Sequence, residues 1–440
     1  MVEPWYKKYR KMSKEIKGKD FKLWKTLLNG ALMMARSMPY EPYVEMMLDN
    51  FVNVGRARIK GKPLIGHPFN YGPELLHAMD LQPFMQELLT VGLAPFHANE
   101  PYLDFTNELG YGDNPTICNA QRPVIGLHIK GLAPVPDFML YLSTPCNSLS
   151  STYQVFQHLT GVESFHLDIP YWSYSKDKFS DLYDEKTLDY VINQQKNLIS
   201  WLEEKTKHKF DEEKFKQAMV WVNQARQNIM EFNELLRAVP CPVNSSEAQK
   251  NFSAMIIGSG TPEAVKVTKY LRDNAAANVK KGVAGVPDER IRIAWPFTHV
   301  FFDPALIPYL EETFHAVAIM DILSFYQVKP HDTSTLEKCF KSLAKGILDF
   351  SMISACRGPA DFFVDYVLHW VKDYKCDCVV IPVQFACHHT YAVCRLASEA
   401  VREELGIPTL IVPCDPYDSR DVPAETIRGR ISEFLTEVVM

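Results

Sequence analysis

The segment IPVQFACHHTYAVC, residues 381–394, passes from an apolar run into Cys387, His388 and His389 and then into helical spacing. A cysteine at the carboxyl end of a buried strand and at the start of a helix meets unpaired N–H groups and positive potential. That setting favours thiolate over thiol, and thiolate is the form that binds metal. Cys146 has the same setting in LYLSTPCNS, and Cys118 in NPTICNAQRP shares it if a helix begins there. Cys356 stands 31 residues before Cys387, much as Cys118 stands 28 before Cys146. Three chemistries suit such cysteines. Three or four converging thiolates hold an iron–sulfur cluster. Zinc is the second option, although structural zinc sites usually draw on locally paired ligands, and the chain has no C-x-x-C. The third is a nucleophilic cysteine with His388 or His389 as base. Against all three stands the plainer reading of cysteine as a small buried hydrophobe.

The elements that must position these residues follow from the apolar pattern. Residues 1 to about 55 read as helices, with FKLWKTLLNGALMMARSM at helical spacing. From Lys62 onward short strands alternate with helices: KPLIGH, then GPELLHAM, PDFMLYLS, TYQVFQHL and ESFHLDI. Such alternation predicts a parallel sheet with crossover connections. Residues 186–239 read as a long helical hairpin broken near KHKFDEE, with Asp211 as N-cap of its second arm. GTPEA opens another helix, with Thr261 as N-cap and Pro262 at the first helical position. Alternation resumes at IRIAWPF and runs to the end.

The second α/β stretch repeats the first. Ile65-Gly66-His67-Pro68-Phe69 matches Ile293-Ala294-Trp295-Pro296-Phe297, and LYLSTPCNS matches VIPVQFACHH. Pro170-Tyr171 and Ser173 match Pro416-Tyr417 and Ser419. The same order of matches in both halves predicts two similar α/β domains facing each other around a cleft. Ligands of open parallel sheets bind beyond the carboxyl ends of the strands, and the paired cysteines belong there. The expected division is an N-terminal helical region over 1–58, a first α/β domain over 59–180, a helical segment over 181–285 and a second α/β domain over 286–440.

Bulk properties set the class. With 440 residues, 47% hydrophobic and 23% charged, the chain can bury a sizeable core in two or more domains. A net charge of -6 gives no general nucleic-acid signal. The first 25 residues carry nine Lys or Arg against three acids, which reads as a solvated helix face or a docking surface for a partner or phosphorylated ligand. No apolar stretch approaches the roughly 20 residues of a membrane helix, and the charged N-terminus lacks a signal-peptide core, so a cytoplasmic protein without a membrane partner is expected. No G-x-x-x-x-G-K-[ST] is present, and GSG at 258–260 reads as a helix-start loop.

Taken together, Cys118, PDFMLYLSTPC, LDIPY, the strand ending FACHHT, GIPTLIVPCDPYDSR and RGRISEF resemble the 2-hydroxyacyl-CoA dehydratases. That superfamily also holds the cluster-bearing subunits of ATP-dependent benzoyl-CoA reductase and the double-cubane-cluster proteins. The resemblance covers roughly residues 60–440. It implies two flavodoxin-like (Rossmann-like) domains and a [4Fe–4S] cluster held by Cys118, Cys146 and Cys387. It also implies a homologous cluster-bearing subunit or a second copy as dimer partner, a separate ATP-hydrolysing activator, and an acyl-CoA or aromatic acyl-CoA substrate. GHPFNYGPELLHA resembles the family's early strand–turn–helix, which makes Glu74 a candidate catalytic residue beside His388. The sequence departs from the pattern in carrying His388-His389 where a basic residue is expected, and Cys356 as an extra cysteine. Cys356 as a fourth ligand would close a single cubane or help to hold a double-cubane [8Fe–9S] cluster. The functions implied are low-potential one-electron reduction in a dehydratase or benzoyl-CoA reductase system, reduction of small unsaturated molecules at a double cubane, or service as a non-catalytic cluster-bearing partner.

Overall fold

Runs of β-branched and apolar residues too short for helices make the strands, and the helices between them force neighbouring strands to run parallel. The computed structural model describes residues 4–112, 117–172, 183–324, 329–350 and 352–440. Three helices come first: α1 (Lys7–Glu15), α2 (Lys22–Ser37) and α3 (Pro42–Arg56). The first sheet follows, built from β1 (Leu64–His67), β2 (Gln82–Met85), β3 (Phe138–Leu142) and β4 (Ser164–Leu167). Between its strands lie α4 (Glu74–Ala78), α5 (Leu88–Leu93), α6 (Glu100–Glu108), α7 (Arg122–Ile129) and α8 (Asn147–Thr160). A helical block follows, with α9 (Glu185–Thr206), α10 (Glu212–Leu235), α11 (Glu247–Gly258) and α12 (Pro262–Lys281). The second sheet comprises β5 (Ile291–Trp295), β6 (Ala316–Asp321), β7 (Cys378–Gln384) and β8 (Thr409–Cys414). Its helices are α13 (Leu306–Phe314), α14 (Leu336–Leu348), α15 (Ile353–Arg357), α16 (Ala360–Asp373), α17 (His388–Ala400) and α18 (Ala424–Phe434).

The two sheets have the same topology. One runs β2-β1-β3-β4 and the other β6-β5-β7-β8, and every pair is parallel. This is the flavodoxin-like arrangement of two α/β halves. Central strands are buried on both faces, as parallel sheets require: all seven residues of β7 are buried. Gly66 in β1 has no room for a side chain, since a Cβ there would stand 2.4 Å from Met139 Sδ in β3. Of the matched Pro-Tyr-Ser elements, Pro170-Tyr171 and Pro416-Tyr417 are described, whereas Ser173 lies outside the described residues.

Caps hold the hairpin and its neighbour where the residue types place them. Asp211 accepts from the amides of Glu213 and Lys214 at 3.0 Å each, and Asp184 accepts from Thr187 N at 2.8 Å. Thr261 caps α12 through Ala264 N. Each such cap is worth about 1 kcal/mol. One hydrophobic core runs from Ile65 and Leu140 of the first sheet, through Val222 and Ile229 of α10, to Val317 and Ile381 of the second. The N-terminal helices close a separate core against the first sheet. There Trp24 packs on Phe51 and Phe84, and its indole N–H donates to Phe51 O at 2.9 Å. No helix among the described residues is long and apolar enough to cross a membrane.

Candidate functional site

The carboxyl ends of β3 and β7 feed directly into α8 and α17, and the residues at those junctions are Cys146 and Cys387. Each is the N-cap residue of its helix, and neither uses its side chain as a cap. Both residues line the cavity between the sheets, with Cys387 Sγ donating to Thr390 Oγ1 at 3.5 Å. Cys118 does not begin a helix, because α7 starts only at Arg122. It sits in a tight turn instead, its carbonyl accepting from the amides of Gln121 at 2.9 Å and Arg122 at 3.1 Å. Ser148 of α8 fastens that turn, accepting from Cys118 N at 2.9 Å and donating to Cys118 Sγ at 3.3 Å. Cys356 lies on α15, in the segment before α16.

These four cysteines line one cavity of about 170 Å³ between the two halves, together with His388 and His389. They are near enough to act on one another electrically. Cys146 is raised by Cys118 and Cys387, and Cys356 by Cys387 and Cys146, in each case after burial as the larger cause. Burial likewise pushes the Cys118 thiol up to about 11, although Ser148 opposes it. Cys387 is also raised by burial, against hydrogen bonds from Thr390 and His389. At each of these cysteines desolvation outweighs the backbone hydrogen bonds that favour ionisation, so the shift is upward. A positive partner is needed to hold these sulfurs ionised. Among the described residues, no three or more His, Cys, Asp and Glu side chains are grouped closely enough to share one metal ion.

His388 is exposed at the start of α17, and His389 is half-buried with a ring nitrogen at the Cys356 backbone. Burial depresses the pKa of His389, and the neighbouring His388 adds to that. Glu74 is elsewhere. It opens α4, which packs against α10 of the helical block, so its carboxyl turns to that block and is not part of the cavity wall. Burial raises the carboxyl, with Arg226 and Ser259 opposing. Gly260, at φ +83°, belongs to this packing, since a Cβ there would come within 2.8 Å of Glu74 Cα. The GSG loop is therefore a close-approach surface for α4 as well as a helix-start loop.

One acidic residue absent from the sequence expectations does line the cavity. Glu87 lies two residues beyond β2 and is buried, with its Oε1 accepting from Gln121 Nε2 at 3.2 Å and Tyr153 Oη at 3.0 Å. Its Oε2 has no hydrogen-bond partner of normal geometry among the described residues. Burial pushes the carboxyl up to about 7, against its own amide and the hydrogen bonds from Gln121, Tyr153 and the Phe69 amide. A carboxyl that half-titrates near neutrality can both give and take a proton. Its signal in the sequence was position alone: an acid just beyond the carboxyl end of a parallel strand. Behind the wall, burial also raises Asp415 to about 7, and its Oδ1 accepts from Tyr417 N at 2.9 Å. Tyr417 itself lines the cavity and stacks on Phe301 at 5.2 Å.

Comparison with known proteins adds a chemical context to this geometry. The family described as 2-hydroxyglutaryl-CoA dehydratase, D-component, matches residues 68–437. The alpha subunit of (R)-2-hydroxyglutaryl-CoA dehydratase of Acidaminococcus fermentans is 22% identical over 309 residues, covering 68% of this chain and 59% of the relative. The (R)-2-hydroxyisocaproyl-CoA dehydratase alpha subunit of Clostridioides difficile is 21% identical over 267 residues, 58% of this chain and 63% of the relative. The (R)-phenyllactyl-CoA dehydratase alpha subunit of Clostridium sporogenes is 25% identical over 171 residues, 37% of this chain and 40% of the relative. The chain thus spans between 40% and 63% of the length of these relatives.

Proposed function

The chain belongs to the 2-hydroxyglutaryl-CoA dehydratase D-component family, and on that footing we propose that it is an iron–sulfur subunit of a 2-hydroxyacyl-CoA dehydratase system. The observation that carries this reading is the convergence of four cysteines, two from each half, on one cavity beyond the strand ends. The ligands proposed are Cys118, Cys146 and Cys387, with Cys356 as a fourth thiol at the same wall. Their chemistry fits a cluster, whose irons are held by cysteine thiolates. A lone zinc gathers sulfurs at about 2.3 Å, whereas a cluster distributes its thiolates over several irons, in keeping with cysteines that interact without forming one tight group. Iron would also supply the positive charge that these buried thiols lack. When bound, such a cluster supplies single electrons at low potential.

The chain's own residues would do the rest. Glu87 would hold or release a proton inside the cavity, with Gln121 and Tyr153 fixing one oxygen and leaving the other free for substrate. Phe69, Phe252 and Phe297 would exclude water from the reacting group, which strengthens every polar contact made there. Ser148 would keep Cys118 and the start of α8 in register. His388, exposed at the cavity rim, would meet the substrate or its partner rather than the buried wall. The proposed system further includes a second cluster-bearing subunit or copy, in line with relatives named as alpha subunits, and a separate ATP-hydrolysing activator.

A second reading rests on Cys356. Four thiolates would allow a double-cubane cluster acting on small unsaturated molecules. Iron and sulfide analysis of anaerobically purified protein tests both readings. About four irons per chain is expected for one cubane and about eight for two; a chain that retains no iron under those conditions would overturn the assignment.

A further inference from the structure

The cavity that holds the four cysteines also has a composition that chooses among acyl groups. Resting on the acyl-CoA reading above, we propose that it accepts a 2-hydroxyacyl group with an apolar end, aliphatic or aromatic, and rejects one that ends in a second carboxylate. Helix α5 contributes Leu88 and Val91 to the wall, and α11 contributes Phe252 and Ile256. The loop after β5 adds Phe297 and Phe301. No Lys or Arg is part of this wall among the described residues, and its one carboxyl belongs to Glu87.

A terminal carboxylate at the apolar end of this space, away from the cysteine wall, would have to shed its water without gaining a Lys or Arg side chain. Burial of an unpaired charge is among the costliest steps in protein chemistry. The neutral polar groups of the wall do not replace a cation. Gln249 is already committed, donating from Nε2 to Asp321 Oδ2 at 2.8 Å, and Gln121 donates to Glu87. His388 and His389 stand at the cysteine wall, with His389 hydrogen-bonded to the Cys356 backbone. A branched alkyl or phenyl end meets the opposite conditions: it carries no charge to desolvate and gains contacts with Phe252, Ile256 and Val91. The same wall therefore attracts one acyl class and excludes the other.

Two test thioesters of equal shape separate them: 2-hydroxyglutaryl-CoA, and 2-hydroxy-5-methylhexanoyl-CoA, in which an isopropyl group replaces the terminal carboxylate. Binding to the anaerobically purified full chain, with any subunit that copurifies, is measured by calorimetry. The methyl-branched thioester is expected to bind at least about tenfold more tightly. Ser253 lines the cavity and is half-buried, so Ser253→Arg can bring a cation to the wall while keeping its stem against apolar surface. That variant should shrink or reverse the preference, and its melting curve shows whether it is folded. Equal or tighter binding of the carboxylate-ended thioester by the unaltered chain overturns the inference while leaving the acyl-CoA reading in place. Binding of neither thioester overturns both.

Discussion

The two halves of the molecule share a strand order and differ in the buried acid found near the end of the equivalent edge strand. In the first half, β2 leads into Glu87, which has no cation beside it and is pushed up to about 7 by burial. In the second, β6 ends in Asp321, equally buried but bonded to His299 Nε2 at 2.7 Å. Burial pushes Asp321 up as well, but His299, Gln249 and the Ser324 amide more than reverse it, so its carboxyl lies below the usual range. Asp321 spends its charge on structure, its Oδ1 accepting from the amides of Leu323 at 2.7 Å and Ser324 at 2.8 Å. Each half thus carries a buried acid near the end of its edge strand: Asp321 is bonded as a loop anchor, whereas Glu87 is held by neutral donors only. A repeated fold supplies places, and the neighbours of each place decide its chemistry.

The comparison would break first at the cysteines. Changing Cys118, Cys146 or Cys387 to Ala is expected to remove most of the iron and its visible absorbance. If all three variants keep their iron, the halves do not share a cluster. Next comes Cys356→Ser, where partial loss of iron is expected. An unchanged count and spectrum would mean that the first half offers two ligands and the second only one.

Glu87 provides the third test. Glu87→Gln should lower turnover about 100-fold, the ordinary loss of a general acid or base, and steady-state rates across pH would show it. It should also alter stability. A buried carboxyl with a raised folded pKa contributes stability below its unfolded value of 4.5, and that contribution is lost as pH rises through about 7. The loss for Glu87 is on the order of 3 kcal/mol. Denaturant melts of the Gln variant should therefore fall less between pH 5 and pH 8 than those of the unaltered chain. An identical pH slope in both proteins would refute the assignment. Asp321 has the opposite sign, being depressed: its stabilisation is present above the unfolded pKa and lost only as acid approaches the folded one.

Smaller effects sharpen the picture at the paired tyrosines. Tyr417 is buried and Tyr171 is 72% exposed. Tyr417→Ala is expected to cost about 3 kcal/mol, and Tyr171→Ala to stay within about 0.5 kcal/mol. Thermal melts of the two variants, with similar shifts for both, would contradict the burial difference.

Much of this arrangement was legible in the sequence, for identifiable reasons. The four cysteines could be brought together on paper because each half repeats the order strand, cysteine, helix. Asp211 and Thr261 declared their helices through cap chemistry that depends on adjacent residues only. Glu87 stayed hidden because β2 was not evident as a strand. It is four residues long, begins Gln82-Pro83, and lies at the sheet edge, where a proline is tolerated. Without that strand, nothing placed Glu87 at a strand end. Glu74 lies away from the cysteine cavity for the converse reason. Its local motif pointed to a site, while α10, more than a hundred residues away in sequence, covers the face on which its carboxyl lies. Long-range packing of that kind leaves no local trace.

The cavity wall also imposes an order of events in time. Cys118 and Cys387 belong to different halves of the molecule and are separated by most of the chain. A nascent chain that has not yet passed residue 387 cannot present the complete set of thiols, however well its first sheet has folded. Domains emerge and fold from the N-terminus during synthesis, so the first two cysteines wait in a half-built pocket until β7 and α17 arrive. On the proposed assignment, a cluster held by both halves forms only after residue 387 has been made.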